Sequence, residues 1–294
     1  MAAPSGLLVV DKPGGMTSHD AVAHVRRALS RAAGERVAAG HTGTLDPAAT
    51  GVLLVLCGSA TRLAPFYVGC EKRYDAAIQL GAATDTQDAS GNVVASAPFA
   101  HVDREAMAAA AGSVRGVREQ VPPMWSAVKV GGKRLYDLAR QGREVERRAR
   151  PIEVFEIALT GFDAGTGRAS VRLTVSSGTY VRTLADEIGK AAGTVAHLHA
   201  LRRLSVGNVG LDASASLPLP DDPLSLIVPR RALLTDIPAV ILSAEGQQAV
   251  KHGRPVPLGS SPPLPRLRIL SLDGELVAMG EAREQQVWPR VVFP

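Results

Sequence analysis

The order of apolar and polar positions divides the chain into short strands and helices of comparable number. Residues 7–10 form an unbroken apolar run of strand length and predict a buried strand. Residues 18–29 place Val22, Val25 and Leu29 on one helical face behind a Ser/Asp cap, and the Gly/Pro segment 11–17 between the two predicts a turn. Residues 52–56 predict a second buried strand, whereas 74–80 alternate as a half-buried strand does. An alanine-rich helix is expected at 106–111, broken by Val121-Pro122-Pro123. Leu135, Leu138 and Ala139 are spaced for one helical turn, 152–159 and 169–175 predict strands joined by a Gly-rich turn, and 183–192 predict a helix.

From residue 211 to 238 the pattern gives way to Pro, Asp and Ser, which predicts a boundary near residue 235 between domains 1–234 and 235–294. The second part reads as short strands and turns, with a Pro/Ser loop at 259–265 and a hairpin turning on Asp273-Gly274. No helical repeat is visible.

Composition narrows the class. With 46 % apolar and 21 % charged residues over 294 positions, the chain buries a core and is not a disordered one. Asp11 and Lys12 end the N-terminal apolar run far short of a signal core or membrane span, so cytoplasmic residence and no membrane contact are expected. Cys57 and Cys70 supply no disulfide framework and no zinc spacing, and read as buried or idle thiols. Asp85 and Asp88 lack the full calcium-loop pattern, and His197 and His199 alternate as structural strand residues, so no metal is expected.

Charge is concentrated in one place. Between Lys129 and Arg150 stand eight basic and three acidic residues, an excess equal to the +5 of the whole chain. A polyanion is a fitting partner for such a segment, and a solvated basic helix is the plainer alternative.

The densest chemical cluster is Gly40-His41-Thr42-Gly43-Thr44-Leu45-Asp46-Pro47-Ala48-Ala49-Thr50-Gly51, a glycine- and hydroxyl-rich loop in which His41 and Asp46 can face one way. Taken alone, Asp46 is as well explained by a turn. The loop, however, resembles the signature of TruB-type pseudouridine synthases. So do, in order, Asp11-Lys12-Pro13-Gly14-Gly15-Met16-Thr17-Ser18, Lys72-Arg73-Tyr74, Thr84-Asp85-Thr86-Gln87-Asp88, Ser177-Gly178-Thr179-Tyr180-Val181-Arg182-Thr183-Leu184 and, more weakly, Leu201-Arg202-Arg203-Leu204. The resemblance covers residues 5–210.

It implies an α+β catalytic body with a mixed, mostly antiparallel sheet and a central cleft. Residues 236–294 resemble a small, mostly-β PUA-type module, through Leu242-Ser243, Gly253-Arg254-Pro255-Val256 and Asp273-Gly274-Glu275-Leu276-Val277-Ala278. The implied reaction isomerises uridine 55 in the T loop of tRNA to pseudouridine without a cofactor, after the base is flipped from its stack. On the family pattern Asp46 is the nucleophile, by addition or by promoting elimination, with Arg182 beside it and Tyr74 against the base. His41, Asp88, Tyr180, Leu201 and Lys12 are implied substrate contacts. The basic segment, about 122–150, corresponds to a mobile insertion that closes over the T stem-loop, with Lys129, Lys133, Arg134, Arg140 and Arg143 on the RNA backbone. The implied enzyme is a monomer with tRNA as partner and no obligate protein partner. The alternatives are a tRNA-folding protein with secondary isomerase activity and a synthase for another RNA.

Overall fold

The computed structural model describes residues 4–258 and 262–293. Strand β1 (Gly6–Lys12) sends Leu7 and Val9 to one face and Leu8 and Val10 to the other, and all four are buried. Helix α1 (Ser18–Ala33) covers the second face with Ala21, Val22, Val25 and Leu29. Its cap lies one residue earlier than Ser18: the Thr17 side chain accepts from the Asp20 N–H, and the Asp20 carboxylate accepts from the Thr17 N–H.

The chain continues through β2 (Thr50–Cys57), β3 (Lys72–Leu80), α2 (Arg104–Gly112), β4 (Gly116–Gln120), β5 (Arg150–Asp163), β6 (Arg168–Val175), α3 (Val181–Ala191) and β7 (Ala196–Val206). These strands form one sheet in the order β1-β2-β7-β3-β6-β5-β4. Along this path only β2 and β7 run parallel, meeting at Thr50/Arg202 and Gly51/Arg203. The sheet is therefore mixed and mostly antiparallel, as expected. On its β3–β6 half, Ile78, Leu80, Leu173 and Val175 pack against Met107 of α2 and Leu184 and Ile188 of α3. Register shifts in β7 after Leu198 and Arg203 bracket the stretch that carries Leu201 and Arg203, both of which line the site described below.

A second sheet, β8-β10-β11-β12-β9, is made from β8 (Ala239–Ile241), β9 (Val256–Pro257), β10 (Leu264–Leu270), β11 (Leu276–Arg283) and β12 (Gln286–Val292), with α4 (Ala244–Lys251) against it. Leu276, Met279 and Phe293 share a core with Leu7, Val9 and Leu54, so both faces of β1 and β2 are covered. The predicted hairpin at Asp273-Gly274 is present. The proline-rich stretch after residue 211 returns to the sheet: Ala215–Ser216 pair parallel and Val228–Pro229 antiparallel with β1. The predicted loop at 259–265 is cut short by β10, which begins at Leu264, and its positions 259–261 lie outside the described residues. Among the described residues no helix is long and apolar enough to cross a membrane.

Candidate active site

The loop that carries Asp46 is fixed by groups from three distant segments. Ser18 Oγ donates to the Leu45 carbonyl at 2.9 Å and accepts from the Leu45 N–H at 2.8 Å. Arg203, 1 % exposed on β7, donates to the carbonyls of Val52, Gly43 and Thr44 at 2.7, 3.1 and 3.4 Å. The Lys12 ammonium reaches Pro13, Met16 and Pro47 carbonyls at 2.8, 2.8 and 3.2 Å. Backbone bonds from Thr42 to Leu54 and from Gly15 to Pro47 complete the frame. With the loop's carbonyls occupied, its Asp46 side chain is left facing the cleft.

Lys12 stands apart from the cleft. Its side chain is completely buried, all three protons are spent on carbonyls, and it lines neither of the cavities described below. Its three bonds tie the turn after β1 to the Asp46 loop. Burial drives its pKa down to about 8, with the Asp46 charge resisting and Arg203 assisting.

Asp46 meets Arg182, which α3 delivers in its first turn and which is 4 % exposed. Arg182 Nε lies 2.9 Å from Asp46 Oδ2 and Nη2 3.4 Å from Oδ1, a side-on bidentate pair. The guanidinium also donates to the carbonyls of Thr86 at 2.9 Å and Trp125 at 2.7 Å, and its Nε stands 3.8 Å from Asp88 Oδ2. Asp88 is in turn held by Thr86 and Ser90. The Asp46 side chain, 40 % exposed, opens into the cleft. Burial pushes its carboxyl above the usual range, Arg182 pulls it back, and the Asp88 charge adds to the rise. The pair thus presents to the cleft a carboxyl group with a fixed counter-cation, the kind of group a nucleophile or base requires.

Two cavities open on either side of this pair. One, of about 370 Å³, is lined by Asp46, Tyr74, Tyr180, Leu201, Arg182 and Lys72, a volume suited to a small ligand. Tyr74 on β3 is 7 % exposed and belongs to the core as well as to the cavity wall. Tyr180 caps α3, and Gln120 clamps its peptide from both sides, accepting its N–H at 2.8 Å and donating to its carbonyl at 3.2 Å. The other cavity, of about 890 Å³, is walled by Asp46, Asp88, Arg182, Tyr136, Arg134 and Arg140. The basic insertion supplies its roof. Leu135 and Leu138 of the short helix Leu135–Ala139 are buried, and the Arg134 and Arg140 guanidinium carbons stand 5.7 and 5.5 Å from the Tyr136 ring centre.

Asp46, Arg182, Asp88, Tyr74, Tyr180 and Leu201 thus converge, joined by Arg134 and Arg140. His41 does not line either cavity: it ends the short strand Ala39–His41, half-buried, with Nδ1 buried and unpartnered among the described residues. Lys129 and Lys133 line a shallow groove on the insertion, and Arg143 is exposed. His197 bonds the Ala82 carbonyl at 2.8 Å, a structural role. Sequence reading missed Gln120, Ser126 and Tyr136, and gave no separate role to Lys72 of the Lys72-Arg73-Tyr74 motif, which is buried with its ammonium tied to the Val68 and Cys70 carbonyls. Gln120, Ser126 and Tyr136 lie outside the strands that the apolar pattern predicts, and an isolated residue of these types reads equally as a solvent-facing position.

Residues 30–181 match the family model described as TruB family pseudouridylate synthase (N terminal domain). The chain is 42 % identical over 295 residues to the tRNA pseudouridine synthase B of Thermobifida fusca (strain YX), covering 98 % of both. It is 47 % identical over 249 residues to the like-named protein of Symbiobacterium thermophilum, covering 84 % of this chain and 82 % of the other. Among solved structures, a chain of an H/ACA RNP bound to a substrate RNA containing 2′-deoxyuridine superposes with TM-score 0.73 at 23 % identity, over 99 % of this chain and 86 % of that one. A chain of a Cbf5-Nop10-Gar1 complex superposes with TM-score 0.70 at 24 % identity, over 99 % and 85 %. The two structures share the fold.

Proposed function

Since this chain belongs to the TruB family of pseudouridylate synthases, we propose that it converts uridine 55 in the T loop of tRNA to pseudouridine, with Asp46 as the group that opens the glycosidic bond. The observation that carries the assignment is the Asp46–Arg182 pair set between two cavities, one walled by Tyr74, Tyr180 and Leu201 and the other bordered by Arg134 and Arg140.

The target base leaves its stack and enters the smaller cavity against Tyr74, Tyr180 and Leu201. Extrusion costs a few kcal/mol, which stacking at about 1–3 kcal/mol per base offsets. Asp46 then acts at the ribose while the N1–C1′ bond breaks. The base turns and joins C1′ through C5, C5 gives up its proton, and N1 gains one. Neither oxidation nor phosphoryl transfer occurs, so a positioned carboxylate with a fixed counter-cation suffices. Arg182 opposes the protonation that burial favours at Asp46. Asp88 and His41 support the flipped state from the RNA side.

The insertion clasps the T stem-loop, with Arg134 and Arg140 on phosphates near the site and Lys129, Lys133 and Arg143 farther out. Residues 235–294 form an auxiliary RNA-binding domain, 1–234 the catalytic one, and the enzyme acts in the cytoplasm as a monomer without a protein partner.

The test is tritium release from C5-labelled uridine in a T-stem-loop RNA, comparing wild type with Asp46→Asn. Release by wild type alone is expected. Binding without release by either protein would favour an RNA-folding role, and equal release by both would remove Asp46 from the chemistry.

A further inference from the structure

Six residues border both cavities: Thr44, Leu45, Asp46, Ser126, Ala127 and Arg182. They make the divide across which a flipped nucleotide must lie, base on the Tyr74 side and phosphates on the Arg134 side. Ser126 is the anomaly among them. The residue is 5 % exposed, and its hydroxyl is buried with no hydrogen-bond partner among the described residues. A hydroxyl left unpaired in the interior is costly, which makes a retained one a candidate for a ligand contact.

Its backbone explains why it is held so firmly. The Ser126 carbonyl accepts from the Tyr136 N–H at 3.1 Å, and its N–H donates to Met124 at 2.9 Å. The neighbouring Trp125 carbonyl accepts from Arg182 at 2.7 Å. Ser126 is therefore the point at which the basic insertion, the catalytic guanidinium and the divide meet.

We propose that the Ser126 hydroxyl binds the ribose 2′-hydroxyl of the target nucleotide, so that the insertion reads the sugar whose C1′ bond Asp46 opens. This rests on the isomerase reading above, which puts the ribose at Asp46 and hence beside Ser126. A serine hydroxyl both donates and accepts, as does the 2′-hydroxyl, the group by which a protein tells RNA from DNA at one position.

The test is a binding cycle in the Asp46→Asn background, using T-stem-loop RNA with uridine or 2′-deoxyuridine at the target position, with Ser126 intact or changed to Ala. With Ser126, the deoxy substitution should weaken binding on the order of fivefold, the scale of one hydrogen bond. With Ser126→Ala the ribose and deoxyribose RNAs should bind alike. Thermal unfolding supplies a second readout: Ser126→Ala should leave the free enzyme's melting temperature unchanged or raised, because no bond is lost.

An equal deoxy penalty in both proteins overturns the proposal, as does a melting temperature several degrees lower in the alanine variant. Tritium release by wild type on the uridine stem-loop is run alongside. If release occurs and the cycle shows no coupling, the ribose contact alone fails; if release does not occur, the isomerase reading fails with it.

Discussion

Gly51 lies so close to the backbone of Arg203 that a β-carbon built on it would stand 2.2 Å from the Arg203 carbonyl oxygen, and its φ is +101°. Here β2 and β7 make their parallel contact, where the Asp46 loop runs into the sheet and Arg203 reaches back to Gly43 and Thr44. Only glycine satisfies both the torsion and the approach. Gly51→Ala is expected to lower stability by about 3 kcal/mol or more through strain and forced separation of the strands. Urea unfolding of the two proteins checks this, and a change below about 1 kcal/mol would mean that the junction yields.

Arg182 serves Asp46 through Nε and Nη2 and two carbonyls through Nη1 and Nη2, a pattern that a lysine's point charge does not reproduce. Arg182→Lys should lower kcat by about a hundredfold or more. It should also shift the acid limb of the pH profile. Burial raises the Asp46 carboxyl and Arg182 is the largest opposing influence, so weakening that influence raises the carboxyl further. Activity in the variant should then require a higher pH than in wild type. Profiles of kcat/KM for both proteins decide it: an acid limb in the same place would detach Asp46 from the titration.

Much of this architecture was legible because apolar periodicity depends on local spacing. β1, β2, β3 and α1 follow from runs and alternations that need no tertiary information, and Asp46, Tyr74 and Arg182 stand in motifs dense enough to be recognised. What escaped are residues whose role exists only across the fold. Gln120 ends a strand and shows nothing in sequence of its clamp on Tyr180, 60 positions away. Lys12 has the sequence context of a substrate-binding cation, yet its neighbours in space are three carbonyls. The proline-rich stretch after residue 211 has the composition of a linker, but its short strands find the open edge of β1.

The buried ammonium of Lys12 carries a pH signature. Its pKa in the folded protein is about 8 against 10.5 when exposed, and Lys72 behaves alike. Between these values the unfolded chain holds more protons, so stability should rise as pH increases from about 8, by at most about 1.4 kcal/mol per pH unit for each lysine. Cys57 and Tyr67, whose pKa values burial raises, act with the opposite sign above about pH 9. The informative quantity is therefore the difference between wild type and Lys12→Met. Denaturant midpoints at pH 7.5, 8.5 and 9.5 should show wild type gaining on the variant as pH rises (roughly the slope just given); a constant difference would show that Lys12 remains charged throughout.

RNA affinity should fall steeply with salt, because the cations of the insertion displace counterions condensed on phosphates. Arg134 and Tyr136 allow the electrostatic part to be separated from the stacking part. They share a wall of the larger cavity and a 2.8 Å hydrogen bond, but only Arg134 is charged. Replacing Arg134 by Gln should reduce the slope of log K against log salt by about one if it holds a phosphate. Tyr136→Leu should weaken binding by a similar amount at every salt concentration and leave the slope unchanged, since an aromatic face releases no ions. Titration of a T-stem-loop RNA from about 50 to 200 mM salt, the range over which such contacts are most visible, separates the two. Parallel displacement of both lines would mean that Arg134 positions Tyr136 and touches no phosphate, and unchanged binding in both variants would take the insertion's roof out of the RNA interface.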